Sequence, residues 1–453
     1  MKNKSSYIVM VILILIGIIT PYLYDDYKEN KSNKILQNNE TVKTGNATLA
    51  IIQVDKEGNE TKVDEFPSKT EYAFDYLLSS CTNGSKIKFD ETAWTASVTA
   101  SKKDNCKFYF RPRLGELAED IIAKANKNDY LYKSTPDFSK IAENESGVFA
   151  STDDLGTSYY FRGFPDNNYI VFGSYAEDTT LTVYDYNEWT EKTVEVKAGS
   201  PMYWRIVRIN GDGSIRLIYD GTEKVANGEN HIASIASSVF NNNINDSKYN
   251  GFTYNENGEE IDSVIKTVLD EWYNDHLIEN YDQYIADAIF CNDRKIEKKY
   301  YLDENGVESE NEAGSIGYGV SYSARYRNDN PTLICSQKSD RYTIDGNLGN
   351  GLLKNPIGLI TFDELKMAGA GSINSNLQFM NTGEYFWTLT PLFYDFLDGT
   401  RNIYGSYSYY GIDSVNVNID GMPPSVRPVI NLKADVKFTG DGSYETPYTI
   451  VTN

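Results

Sequence analysis

From Ser5 to Tyr24 the chain carries no charged side chain, and Tyr7 to Ile19 reads YIVMVILILIGII. Twenty helical residues rise about 30 Å, which matches the hydrocarbon thickness of a bilayer. Lys2 and Lys4 precede the run, and the bulky Pro21-Tyr22-Leu23-Tyr24 stands where a cleavage site would need small residues. Residues 1–24 are therefore expected to form an uncleaved signal anchor with its N-terminus inside. Lys28, Lys31 and Lys34 follow the helix, so the orientation rests on the short N-terminal tail rather than on charge counting. The final TPYTIVTN offers no sorting motif or hydrophobic tail. The expected location is the cell membrane, single-pass, with the body extracytoplasmic.

What lies beyond that helix has the material for real cores. Hydrophobic residues make up 40% of the 453, and the length suits two or three domains. The 36 Tyr, with abundant Asn, Gly, Ser and Thr, suit half-buried strands and binding faces alike. A formal charge of −22 repels phosphate backbones, which argues against nucleic acid as a partner. Such a surface attracts cations weakly, yet no calcium motif accompanies it, so no cofactor is expected.

The patterning predicts an order of parts. Residues 25–45 are polar and aperiodic and read as a linker. A small β-domain is expected over 46–113, opening on the alternation of Thr48 to Val54 and a turn at Lys56-Glu57-Gly58-Asn59. Leu114, Leu117, Ala118, Ile121, Ile122 and Ala125 recur at helical spacing, placing a helical connector over 114–147. The rest, 148–453, reads as one large α+β domain. Within it WRIVRI, then Asn210-Gly211-Asp212-Gly213, then SIRLI is a hairpin signal, because those turn residues tolerate positive φ. Thr361 and Glu364 have capping-box spacing, and Gly369 stops the helix they open. Stretches 219–260 and 296–330 read as irregular loops. Val426 to Leu432 and Tyr448 to Val451 read as a closing strand pair joined by a Gly-rich turn.

Four cysteines permit three connectivities. Pairing within domains, Cys81 with Cys106 and Cys291 with Cys335, is expected because each pair falls inside one part of the pattern. No CxxC occurs and His231 and His276 are the whole histidine complement, so no metal site is expected. The neighbours Asp153-Asp154, Asp270-Glu271 and Asp363-Glu364 read as caps and solvated charge, since adjacent side chains do not face one site. Asn292-Asp293-Arg294 reads as an internal Asp–Arg pair near a disulfide, Arg427 as structural, and Trp387 as buried. No nucleophile elbow, phosphate loop or zinc-protease motif appears. No catalytic residue is assigned.

Several blocks in order resemble an uncharacterised family of surface proteins from low-GC Gram-positive bacteria. They are Gly156-Thr157-Ser158-Tyr159-Tyr160-Phe161-Arg162-Gly163, WRIVRINGDGSIRLI at 204–218, Phe290-Cys291-Asn292-Asp293-Arg294, Asn355-Pro356-Ile357-Gly358-Leu359-Ile360-Thr361, Phe386-Trp387-Thr388-Leu389-Thr390-Pro391 and Val426-Arg427-Pro428-Val429-Ile430. The resemblance covers about 300 residues of this chain, and it implies a small disulfide-containing β-domain, sandwich-like, before the large one. The large domain also resembles, distantly, the fold shared by sulfatase-modifying factors and C-type lectins. No Cys follows 335 and no Glu-Pro-Asn or Gln-Pro-Asp triplet occurs, so neither the oxidase cysteines nor the lectin calcium site carries over.

In that fold the irregular region before the last strands forms the ligand face. Here it would be 401–411, where Tyr, Ser, Gly and Asn combine rigid rings with small hydrogen-bonding groups. Arg401, Tyr404, Tyr407, Tyr409 and Tyr410 are the candidate ligand-binding residues; a Tyr-rich strand pair packed on the core is the alternative. The expected function is a membrane-anchored, non-enzymatic adhesion or binding protein for a glycan or protein ligand. A cell-envelope enzyme using unidentified carboxylates, and a structural envelope or appendage component, are the alternatives.

Overall fold

The structure, a computed structural model, describes residues 34–37, 40–43, 47–56, 58–99, 103–132, 134–140, 142, 146–185, 188, 190–242, 252–256, 259–302, 308–310, 316–370, 378–395, 401–408, 411–416 and 423–452. The expected signal anchor, 1–24, lies outside them. Among the described residues no helix is long and apolar enough to cross a membrane. Strand outweighs helix, 37% against 14%, so the body is mostly β. It divides into two compact units, one ending at Arg113 and one beginning at Leu114.

The first unit holds β1 Lys34–Gln37, β2 Glu40–Lys43, β3 Ala47–Val54, β4 Glu60–Val63, β5 Tyr72–Phe74, β6 Ser80–Cys81, β7 Lys86–Asp90, β8 Thr95–Thr99 and β9 Asp104–Pro112. One sheet runs β1-β2-β8-β7 and the other β4-β3-β9-β5, with β6 added to β9. Strand alternation puts Phe108 and Phe110 of β9 inside with Phe74, Trp94, Ala96 and Val98. Phe74 stacks on Phe89 at 4.3 Å, so rings from both sheets fill one core. The Cys81–Cys106 bond joins β6 to β9. Closing a loop of that length stabilises by about 3 kcal/mol in the chain-entropy picture. β1 and β2 fall in the stretch expected as linker. Their polar sequence hides them, because β2 is held by backbone pairing, Val42 beside Ala96 and Lys43 beside Ser97.

The second unit starts with α1, Glu116–Lys127, which buries Leu117, Ala118, Ile121, Ile122 and Ala125, the face marked by the periodicity. The helix is part of this unit. Then follow β10 Leu131–Tyr132, β11 Gly147–Asp153, β12 Gly156–Arg162, β13 Tyr169–Ser174, β14 Thr179–Asp185, β15 Thr190–Val196, β16 Pro201–Ile209 and β17 Ile215–Tyr219. Two further helices are α2, Val264–His276, and the short α3, Phe362–Ala368. A nine-stranded sheet is built around β16, which pairs with β12, β13 and β17. Trp204 of β16 is fully buried and donates its indole N–H to the Phe172 carbonyl at 2.8 Å.

The β16–β17 hairpin forms as its turn residues predict. Gly213 sits at φ 88°, where a Cβ would come within 1.8 Å of the Leu114 carbonyl oxygen. A register shift between Ile206 and Arg208 sets Arg208 directly opposite Arg216. The capping box also forms: Thr361 Oγ1 accepts from the Glu364 amide at 3.2 Å, and Glu364 accepts from the Thr361 amide at 3.1 Å. Gly369 ends α3 in the left-handed region.

Other expectations fail on pairing. The two closing strands do not join each other: Val429–Leu432 pairs with β17, and Tyr448–Ile450 pairs with β13 and Phe438–Thr439. The stretch 296–330 contains strands Ile296–Leu302, Glu308–Glu310 and Ile316–Gly319, and 219–260 contains Thr253–Glu256. The segment expected as an irregular ligand face is regular. Arg401–Ser408 is a strand between Phe386–Asp395 and Gly411–Asn416 in an eight-stranded sheet. Gly and Ser between the tyrosines masked a β-pattern that its neighbours stabilise.

Gly213 supplies a test of the hairpin. Gly213→Ala should destabilise by about 1–3 kcal/mol in urea unfolding, from backbone strain alone, and further through the clash with Leu114. Gly199, at φ 81°, has no atom within 4 Å of where a Cβ would stand and carries only the strain, so Gly199→Ala should cost less.

Candidate functional site

Two clusters of chemistry-bearing residues stand out, both in the second unit. The first surrounds Glu364 at the start of α3. Glu364 Oε1 lies 3.1 Å from Arg208 Nε and 2.5 Å from Arg216 Nε, with all three side chains buried. Arg208 also binds Asp153 at 2.8 Å. Beside them Asp363 accepts from Ser321 Oγ at 2.5 Å, Arg325 at 2.9 Å and the Thr332 amide at 3.0 Å. Arg325 meets Asp293 at 2.5 Å, while Asp154 binds Arg341 at 2.8 Å and accepts from the Cys335 amide at 2.8 Å. The space left among these groups is about 40 Å³, room for a few waters.

The electrostatics divide these carboxylates. Burial raises the Glu364 carboxyl, but Arg216 and Arg208 more than reverse this and hold it below the ordinary value. For Asp363 burial outweighs Arg325 and Ser321, and its pKa is raised. Asp154 is likewise raised by burial despite the Cys335 amide and Arg341. Every carboxylate in the cluster is ion-paired with at least one named arginine, and the cavity is small. The arrangement therefore serves to join β11, β16, β17, α3 and the Cys291–Cys335 bond.

This corrects the reading of Asp153-Asp154 and Asp363-Glu364 as caps and solvent. The capping role of Glu364 is real, but it is one of three partnerships. Asn292-Asp293-Arg294 does not form an internal pair: Asp293 takes Arg325, and Arg294 takes Asp340 at 2.7 Å. Arg208, Arg216, Arg325 and Arg341 went unremarked in the sequence. The available signal was an arginine within an apolar β-hairpin, where an unpaired charge is untenable.

The second cluster borders an open cleft of about 380 Å³. The hairpin β14–β15 supplies one wall through Leu181, Val194 and Val196; Val225 and Ile232 face them, with His231 and Ser234 beside. The hairpin is amphipathic because it alternates: Leu181, Val183 and Val196 are buried, whereas Thr180, Thr182, Glu191, Thr193 and Glu195 are exposed. Beneath the cleft lies Asp220, whose Oδ1 is 2.7 Å from Arg427 and 3.3 Å from His231 Nε2. Glu384 accepts from Ser234 Oγ at 2.5 Å and from the Ala233 amide at 2.7 Å. Asp220, which is buried, and Glu384, which is half-buried, thus pin the segment 231–234 that borders the cleft.

His231 cannot serve as a base in this arrangement. Its Nδ1 faces the Glu229 carbonyl at 3.1 Å and its Nε2 faces Asp220, so both ring nitrogens meet acceptors. Burial opposes the imidazolium, but the hydrogen bond and charge of Asp220 overcome it and raise the pKa. Asp220 is correspondingly lowered: burial raises it, and His231, Arg427 and Arg205 more than compensate. Glu384 is raised, because burial outweighs its donors Ser234 and Ala233.

The candidate residues from the sequence are placed elsewhere. The backbones of Arg401, Tyr404 and Tyr407 lie in the strand Arg401–Ser408, and Tyr409 and Tyr410 lie outside the described residues. Trp387 is buried, donating to the Ser238 carbonyl at 2.7 Å. Arg427 is buried as a structural residue, reaching the Tyr219 carbonyl at 2.7 Å. Both disulfides pair as expected. Among the described residues, the close group of potential metal ligands is Cys81, Asp104 and Cys106, whose two sulfurs are bonded to each other. No protein family, curated protein or solved structure matches the chain.

Two variants test these clusters. Glu364→Gln leaves Arg216 facing no full charge and Arg208 with Asp153 alone, and should cost about 3–5 kcal/mol in denaturant unfolding. For His231 the folded pKa exceeds the unfolded value of about 6.5, so its pair with Asp220 contributes fully below that pH and fades as pH rises through the folded value. His231→Gln should therefore lower the melting temperature more at pH 6 than at pH 9.

Proposed function

We propose that the protein is a membrane-anchored binding protein displayed outside the cytoplasm, taking a ligand in the cleft beneath β14–β15 and performing no chemistry on it. The cleft carries this reading. Its volume of about 380 Å³ falls within the range of ligand pockets, and its walls are apolar with a few fixed polar groups. The charge-free run Ser5 to Tyr24 supports the anchor. Two disulfides support an oxidising compartment.

The large unit is proposed to be C-type-lectin-like, and the small one sandwich-like. Buried Trp387 and the seating of Val429–Leu432 against β17 support the first; the shared aromatic core between two sheets supports the second. Between glycan and protein ligands, the aliphatic walls favour protein. Leu181, Val194, Val196, Val225 and Ile232 supply the apolar surface, beside the polar Thr222, Glu223, His231 and Ser234 and the buried ring of Tyr219.

Val194→Trp fills the cleft without burying a charge. On an array of envelope and host proteins it should abolish the binding shown by the wild-type full chain, with an unchanged melting temperature. Tyr407→Ala should bind as wild type. The reverse pattern would move the site to the Tyr-rich strands.

A further inference from the structure

We infer that the cleft's ligand is an extended peptide of a partner protein, added as a third strand along β15, with aliphatic side chains pointing into the cleft and basic ones away from it. The inference rests on the cleft being the ligand site. Among the described residues β15 pairs with β14 alone, over seven registered positions from Thr190 to Val196. A two-stranded ribbon is marginal by itself, and its free edge presents unpaired N–H and C=O groups ready for another chain. Strand addition to such an edge is a recurrent mode of peptide recognition, with backbone bonds giving affinity and pockets reading alternate side chains.

The two faces of β15 then dictate the peptide. On the inner face Val194 and Val196 are part of the cleft wall. A strand laid beside them must send every second side chain into the same space. A cleft of about 380 Å³ has room for at least two aliphatic side chains. Leu181, Val225 and Ile232 add to the aliphatic surface that receives an apolar side chain, alongside the polar Thr222, Glu223, His231 and Ser234 of the same lining.

On the outer face the exposed residues are Glu191, Thr193 and Glu195. Cross-strand neighbours on one face attract when their charges are opposite, so the peptide's outward positions call for Lys or Arg. The one cation of the strand, Lys192, is already engaged by Asp185 and Glu188 at the turn and does not offset those glutamates. The overall charge of −22 steers a basic segment toward the surface from a distance.

The test is a titration of the full chain with a fluorescein-labelled heptapeptide alternating isoleucine and lysine, followed by anisotropy at physiological salt. Saturable binding is expected. It should weaken about tenfold or more, a change of about 1.4 kcal/mol, for Val194→Glu and for a peptide of the same composition with its isoleucines and lysines in separate blocks. N-methylation of alternate peptide amides should destroy binding in one set and spare it in the other, because only every second amide faces the β15 edge. Equal binding of alternating and block peptides, indifference to both methylation sets, or no binding to folded wild type would each overturn the inference. A wild-type dimer made monomeric by Val194→Glu would put a second copy on the edge and also overturn it. Failure of the underlying reading looks different: Val194→Trp would then leave every ligand of the protein bound. A ligand lost in Val194→Trp, with the alternating peptide ignored, would keep the cleft and remove only the peptide.

Discussion

The second unit depends on a negative charge held between two arginines that face each other across a hairpin. The register shift in β16 brings Arg208 opposite Arg216, and like charges in that position repel unless something lies between them. Glu364, fixed by its own capping box, supplies the counter-charge. Moving such ions out of water is costly, and removing one partner strands the others. The pairing of α3 with the β16–β17 hairpin is thereby made specific, and Asp153, through Arg208, brings in the end of β11. The neighbouring pairs Arg325 with Asp293 and Asp363, and Arg341 with Asp154, extend the same logic to the Cys291–Cys335 bond.

The two clusters of the second unit differ in character. The buried acids near α3 are the groups one would enlist for acid–base chemistry, and each is occupied with arginines in a space of about 40 Å³. The cleft beside β14–β15 has the opposite character, roomier and lined by Leu181, Val194, Val196, Val225 and Ile232 together with the polar Thr222, Glu223, His231 and Ser234. His231 belongs to that lining, and its two acceptors make it a latch for the segment 229–234. One region therefore holds the unit together while another leaves an open cleft.

How far the sequence was legible depended on whether a signal was local. The Asn210-Gly211-Asp212-Gly213 turn, the Thr361–Glu364 box and the face of α1 are set by neighbours along the chain and were readable, and the disulfides, spanning 25 and 44 residues, were readable because each pair falls inside one domain. The partners of Val429–Leu432 and Tyr448–Ile450 were not, because a strand's pattern states which face is buried and leaves its neighbour open. The buried arginines escaped for a related reason: Arg208 and Glu364 are 156 positions apart, and the bulge that aligns Arg208 with Arg216 leaves no compositional trace. The cleft was equally hidden, since the alternation in β14 and β15 does not say what covers their apolar side, and only residues 219–234 turn that side into a wall.

Amide hydrogen exchange of the unliganded full chain tests this division most directly. The amides of β16, β17 and α3 should exchange slowest, through global unfolding, while those of β14 and β15 exchange orders of magnitude faster through local opening. Equal protection of the hairpin and the arginine-bridged strands would contradict the account, because the charged network would then not be the centre of stability and the hairpin not an open edge.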